Sequence, residues 1–190
     1  LYTNYKGSMS FMRDGRNVLI QFNKDIFYFN KSELKQKLLS LQEGDYLFVD
    51  ADFSRYQTEV EQTGLLDIYR TTGNAEIFAF SYVIEKQIST TEWETIFVDD
   101  SQLQINKGDA LNGAYVYGLC EYNSVDETYE YNVGFPLLST GNYRLSFGYN
   151  SDSTKNVELR SLNKPKDIKL NLNSAVDNLD NSGYFYFNVN

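Results

Sequence analysis

The feature that most constrains this chain is a recurrence of short runs in which Tyr, Phe, Val, Leu or Ile alternate with polar residues. Each run is closed by Gly, Asn or Asp. Alternation at a period of two puts the apolar side chains on one face of a strand, and the closing residues supply the turns. Ser8–Met12 and Asn17–Phe22 flank Arg13-Asp-Gly-Arg16, a hairpin signal because Asp-Gly tolerates positive φ. Further runs cover Asp25–Asn30, Asp45–Asp50, Leu65–Tyr69, Glu76–Glu85, Glu94–Val98 and Leu103–Ile105. A long hairpin is expected between Ala114–Tyr122 and Thr128–Phe135, turned by Asn123-Ser-Val-Asp126. Tyr143–Tyr149, Val157–Leu159, Asp167–Leu172 and Tyr184–Val189 follow. One segment reads differently. Leu34, Leu38 and Leu41 recur at helical spacing behind the capping pair Asn30 and Glu33, which predicts one short helix over 31–41.

These elements predict an all-β fold of β-sandwich layers. Composition agrees. Aromatics reach 16%, with 16 Tyr and 13 Phe against 2 Pro, and rings suit pleated, half-buried surfaces that Pro interrupts. Domain count turns on an internal echo. Leu41-Gln-Glu-Gly-Asp-Tyr46 and Leu138-Ser-Thr-Gly-Asn-Tyr143 share the pattern Leu-x-x-Gly-[Asp/Asn]-Tyr, and each opens an alternating strand about one sandwich domain apart. Two tandem sandwiches are expected, 1–90 with the helix and 91–190, with the boundary in the polar stretch Gln87–Glu92. The alternative is one larger sandwich over 1–190.

The second copy, continuing Arg144-Leu-Ser-Phe147, resembles the Gly-x-Tyr strand openings of immunoglobulin-like and transthyretin-like extracellular domains. With its Asn/Tyr/Asp-rich composition, the chain is similar to uncharacterised secreted and lipoprotein β-sandwich proteins of Bacteroidetes. The resemblance implies a secreted, extracellular, outer-surface or periplasmic location, with a signal peptide or lipid anchor upstream of Leu1. It carries over no functional residue. The Cys…Trp…Cys spacing of antibody-type domains is absent.

Residue types narrow the chemistry. There is no histidine, which removes Ser-His-Asp and Cys-His catalysis and imidazole metal sites. The one cysteine, Cys120, excludes an internal disulfide and a Cys-cluster zinc site; within Ala114–Cys120 it reads as a buried structural thiol. A net charge of −9 disfavours nucleic acid and anionic membranes as partners, and no apolar run reaches the length of a membrane span.

Carboxylates remain. Asp50 with Asp52, Glu92 with Glu94, and Asp99 with Asp100 are the pairs a glycan hydrolase would need, and Asp50 and Asp52 would share a strand face. An acidic chain supplies such pairs by composition, and no catalytic residue is assigned. Calcium is the one cofactor these oxygens would suit; Asp177 and Asp180 are its candidate ligands, although Leu179 stands where an EF-hand loop needs a second oxygen. Rings offer a binding surface instead. Trp93, between Glu92 and Glu94, is a candidate sugar platform, and Tyr115, Tyr117, Tyr129 and Tyr131 alternate along the expected hairpin. If covered, they are core.

The sequence therefore points to a non-catalytic extracellular or cell-surface binding or adhesion protein, its partner a protein or a glycan. A structural subunit of a fimbria-like or envelope assembly is the alternative, and a carboxylate-dependent glycan hydrolase ranks third.

Overall fold

A computed structural model describes residues 2–14, 17–23, 41–58, 63–147, 156–162, 169–174 and 183–190. These are mostly β. The strands are β1 (Tyr2–Asp14), β2 (Asn17–Asn23), β3 (Tyr46–Ser54), β4 (Tyr56–Thr58), β5 (Leu65–Asp67), β6 (Ile77–Gln87), β7 (Trp93–Thr95) and β8 (Gln104–Lys107). They continue as β9 (Asp109–Asn112), β10 (Val116–Asn123), β11 (Thr128–Pro136), β12 (Gly141–Ser146), β13 (Asn156–Ser161), β14 (Lys169–Ser174) and β15 (Phe185–Val189). Apart from the pair β4–β5, they join in one large sheet of order β15-β12-β6-β13-β14-β1-β2-β3-β11-β10-β9. Pairing is antiparallel except at β1–β14 and β2–β3. The sheet curls as a half-barrel, and β6 is where its arms meet: it pairs β13 and also β10.

The expected Asp-Gly hairpin is present, with Asp14 opposite Asn17. The expected strand over Leu65–Tyr69 ends early. Asp67 accepts a hydrogen bond from the Arg70 amide at 3.1 Å, caps the chain and starts the single helical turn α1 (Ile68–Thr71). The helix expected over 31–41 lies, apart from Leu41, outside the described residues, as do Asp25–Asn30, Asp177 and Asp180. Leu41 bridges Val189 in β15.

One hydrophobic cluster fills the curl, from Leu41 to Val189 in sequence, and it includes Val49, Phe78, Phe80, Tyr82, Tyr131, Leu145, Leu159 and Phe187. The expected boundary at 87–92 falls in the connection between the paired strands β6 and β7, and the cluster takes residues from both sides of it. The first echo motif pairs with the residue just before the second: the Gly44 amide donates to the Leu137 carbonyl at 2.8 Å, and the Leu137 amide donates to the Asp45 carbonyl at 2.9 Å. Tyr143 secures its own strand start by donating its hydroxyl to the Ser139 carbonyl at 2.7 Å.

The long hairpin is corrected by the structure. β10 and β11 pair over three registers, Glu121↔Glu130, Tyr122↔Tyr129 and Asn123↔Thr128, and then part. Into the fork runs the β8–β9 segment, β8 against β11 and β9 against β10. Gly108 stands at the join with φ +68°, and a Cβ there would overlap the Leu119 carbonyl oxygen and lie 3.0 Å from that of Glu130. Only glycine fits between strands so close. Side-chain alternation alone carries no sign of such a fork.

Candidate functional site

Alternation sorts the residues of β10, β6 and β13 into a core face and an outer face. On β10, Val116, Gly118 and Cys120 are buried in the curl, and Tyr117 and Leu119 are half-buried on the other side. On β13, Val157 and Leu159 enter the core and Glu158 and Arg160 share the opposite face. Registry brings these outer residues together: Tyr117 opposite Ser81, Leu119 opposite Ala79, and Ala79 opposite Arg160. Ala79, Phe80, Ser81, Tyr117, Glu158 and Arg160 line a cleft of about 320 Å³.

The charges in this cleft are ordered by depth. The Arg160 Nε donates to Glu158 Oε1 at 2.6 Å, and the Glu158 side chain is 5% exposed against 60% for Arg160. A carboxylate therefore lies at the floor and a guanidinium at the rim. Burial, with a smaller effect from Tyr115, raises the Tyr117 hydroxyl above its ordinary pKa, against the opposing pull of Arg160. Tyr117 stays neutral at physiological pH and can both donate and accept. Tyr115 meets it edge to face, ring centroids 6.4 Å apart. A second cleft of about 300 Å³, lined by Asn74, Ala75, Glu76, Ile77 and Leu162, holds no aromatic ring.

The four tyrosines are thus divided. Tyr115 and Tyr117 lie on the outer face, while Tyr129 and Tyr131 are wholly buried. Tyr129 donates its hydroxyl to the Ala75 carbonyl at 2.7 Å, and the Tyr131 hydroxyl lies 2.9 Å from that of Tyr82. Both rings are core, because β11 turns its odd-numbered side chains into the curl.

Trp93 lies elsewhere, over the far half of β6. The Arg144 guanidinium stands 4.5 Å from its ring and 4.0 Å from that of Tyr184, and Tyr186 meets Trp93 at 5.6 Å. Glu85 holds Arg144 with two hydrogen bonds of 2.7 and 3.0 Å. One face of the expected platform is therefore taken by a cation of the chain itself.

Asp50 and Asp52 do share a strand face, opposite Asn132 and Glu130. Asp50 accepts from Asn132 at 2.6 Å, and Glu130 pairs with Lys107 at 2.6 Å while accepting from Asn123 and Thr128. Burial, then the Glu130 charge, raises the Asp52 carboxyl above its ordinary pKa, partly offset by Lys107. Burial also pushes Glu130 up, but its hydrogen bonds from Lys107, Asn123 and Thr128 outweigh that, and its pKa is lowered. The result is a hydrogen-bonded row along β3 and β11, and neither cleft includes it. Among the described residues no group of three or more Asp, Glu or Cys is placed to hold a metal ion, and no helix is long and apolar enough to cross a membrane.

Sequence reasoning missed Ser81, Glu158 and Arg160. Its available signal was Val157-Glu-Leu-Arg160, opposite charges two apart between core residues, with Ser81 interrupting the apolar run Ile77–Ile84. No protein family, curated protein or solved structure matches the chain.

Proposed function

We propose that this chain is a non-catalytic binding protein of the cell exterior, folded as one domain over 1–190, that engages a protein or glycan through the outer cleft at Tyr117. The observation that carries this reading is a convergence. An aromatic ring, a serine, a buried carboxylate and a guanidinium line one recess on the outer face of a sheet whose inner face is filled with apolar side chains. Small-molecule sites combine an apolar wall with a few placed polar groups in this way. Display would come from a signal peptide or lipid anchor upstream of Leu1, and the net charge of −9 keeps nucleic acid from competing for the surface.

The test is capture on a glycan array and from the native cell surface, with wild type compared against a Tyr115→Ala/Tyr117→Ala double variant. Capture that falls in the double variant supports the reading. Silence of the wild type in both assays contradicts it.

A structural subunit of a surface assembly is favoured by one observation. Among the described residues β15 ends the sheet order, paired as a strand with β12, and beyond it Leu41 bridges Val189 while Asn190 exchanges backbone hydrogen bonds with Leu41 and Glu43. Such an edge can accept a donated strand. Concentration-dependent assembly on sizing would support this second reading, and a strict monomer at all concentrations would end it.

A further inference from the structure

We infer that the ligand of the Tyr117 cleft is a neutral saccharide ring, one hexose-class unit at the end of a chain; this rests on the binding reading above. A recess of about 320 Å³ stands at the lower end of small-molecule sites, roughly 300–1,000 Å³, and has room for one ring rather than an extended polymer.

The chemistry of the lining decides the class. The Glu158 carboxylate only accepts, the Arg160 guanidinium only donates, and the Ser81 and Tyr117 hydroxyls do both. A wholly apolar ligand would strip water from Glu158 and Arg160 and return no hydrogen bond, which is costly. An anion would meet the buried Glu158 carboxylate, whose guanidinium partner is already engaged at 2.6 Å. A cation would have to displace Arg160 and stay beside its charge. A ring bearing vicinal hydroxyls avoids all three conflicts. Each hydroxyl donates and accepts, so one can give its proton to Glu158 while its oxygen, or a neighbour's, receives Arg160. The Tyr117 ring supplies the apolar wall that a pyranose C–H face needs, and Tyr115, edge-on beside it, extends that wall outward. Ala79 keeps the recess open where a larger side chain would fill it.

The test uses the full chain and a panel of methyl glycosides: glucose, galactose, mannose and N-acetylglucosamine as neutral probes, glucuronic acid and glucosamine as charged ones. Saturation-transfer NMR reports binding, and titrated chemical shifts give affinity. At least one neutral glycoside is expected to bind in the millimolar range, about tenfold tighter than either charged probe. Glu158→Gln, close in shape, and Tyr117→Ala should each weaken it about tenfold. Tyr117→Phe, which keeps the ring, should fall between wild type and Tyr117→Ala, and Leu138→Ala, outside the cleft, should bind as wild type. No signal from any neutral glycoside overturns the inference, as does tighter binding of a charged probe or unchanged affinity in Glu158→Gln and Tyr117→Phe. If surface capture depends on Tyr117 while no neutral glycoside competes, the saccharide assignment falls and the binding reading survives. If surface capture is indifferent to Tyr117 as well, both fall.

Discussion

The hydroxyl oxygens of Tyr82 and Tyr131 meet at 2.9 Å inside the curl, between two side chains that are both wholly buried. Burial raises both pKa values, so neither phenol ionises at physiological pH, and each hydroxyl depends on the other. Tyr131→Phe should cost about 1–3 kcal/mol, because it leaves a buried hydroxyl without its partner. The Tyr82→Phe/Tyr131→Phe double variant should be less destabilised than the sum of the two single changes. Urea unfolding of the four proteins measures the coupling; strict additivity would mean the pair is not energetically linked.

Gly108 joins two strands that fill the fork between β10 and β11. Gly108→Ala combines a positive φ with overlap on the Leu119 carbonyl, and should destabilise by about 1–3 kcal/mol or more. Gly64→Ala meets nothing within 4 Å and serves as the control. Comparable melting temperatures for the two variants would contradict the close approach described at the fork.

Asp52 should make stability depend on pH. Its folded pKa is raised, chiefly by burial and then by Glu130, so its contribution is fully present below the unfolded carboxylate pKa and lost as pH rises through the folded one. Asp52→Asn should therefore raise the melting temperature at neutral pH, and the gain should vanish on acidification below the ordinary carboxylate range. Glu130 has the opposite sign. Its lowered pKa stabilises above the unfolded value, and that stability is lost as pH falls through the folded one. Glu130→Gln should destabilise at neutral pH and converge on wild type in acid.

Cys120 is wholly buried, and burial holds its thiol well above the ordinary cysteine pKa. Thiolate is the reactive form, so native protein should resist a thiol-reactive dye that labels the unfolded chain fully. Rapid labelling under native conditions would show that this strand opens readily.

Local elements were legible where runs of Val, Ile, Leu, Phe and Tyr stand between turn residues. Asn17–Phe22 falls in β2, Asp45–Asp50 enters β3 at Tyr46, and Tyr184–Val189 enters β15 at Phe185. The turn Asn123–Asp126 was legible because the Asn123 side chain can cap it, and it does accept the Val125 amide at 3.0 Å. Beyond the strands joined by this turn and by the Asp-Gly hairpin, the partner of each strand was not legible. β10 leaves β11 for β9 after three registers while its other edge pairs β6, and that exchange depends on the close approach at Gly108, not on any property of β10 alone. The same gap divided the tyrosines. Period two shows that Tyr129 and Tyr131 share a face, and likewise Tyr115 and Tyr117, but only the curl decides which pair is covered. Ser81, Glu158 and Arg160 come together from strands far apart in sequence, beyond the reach of any local pattern.

The most direct measurement of the central claim is a map of amide chemical shifts on binding the captured partner or glycoside. Perturbations are predicted to centre on residues 79–81, 115–119 and 158–160, where the outer faces of β6, β10 and β13 form the cleft. A map centred instead on Trp93, Arg144 and Tyr186, or on the β15 edge, with the cleft residues unmoved, would contradict it.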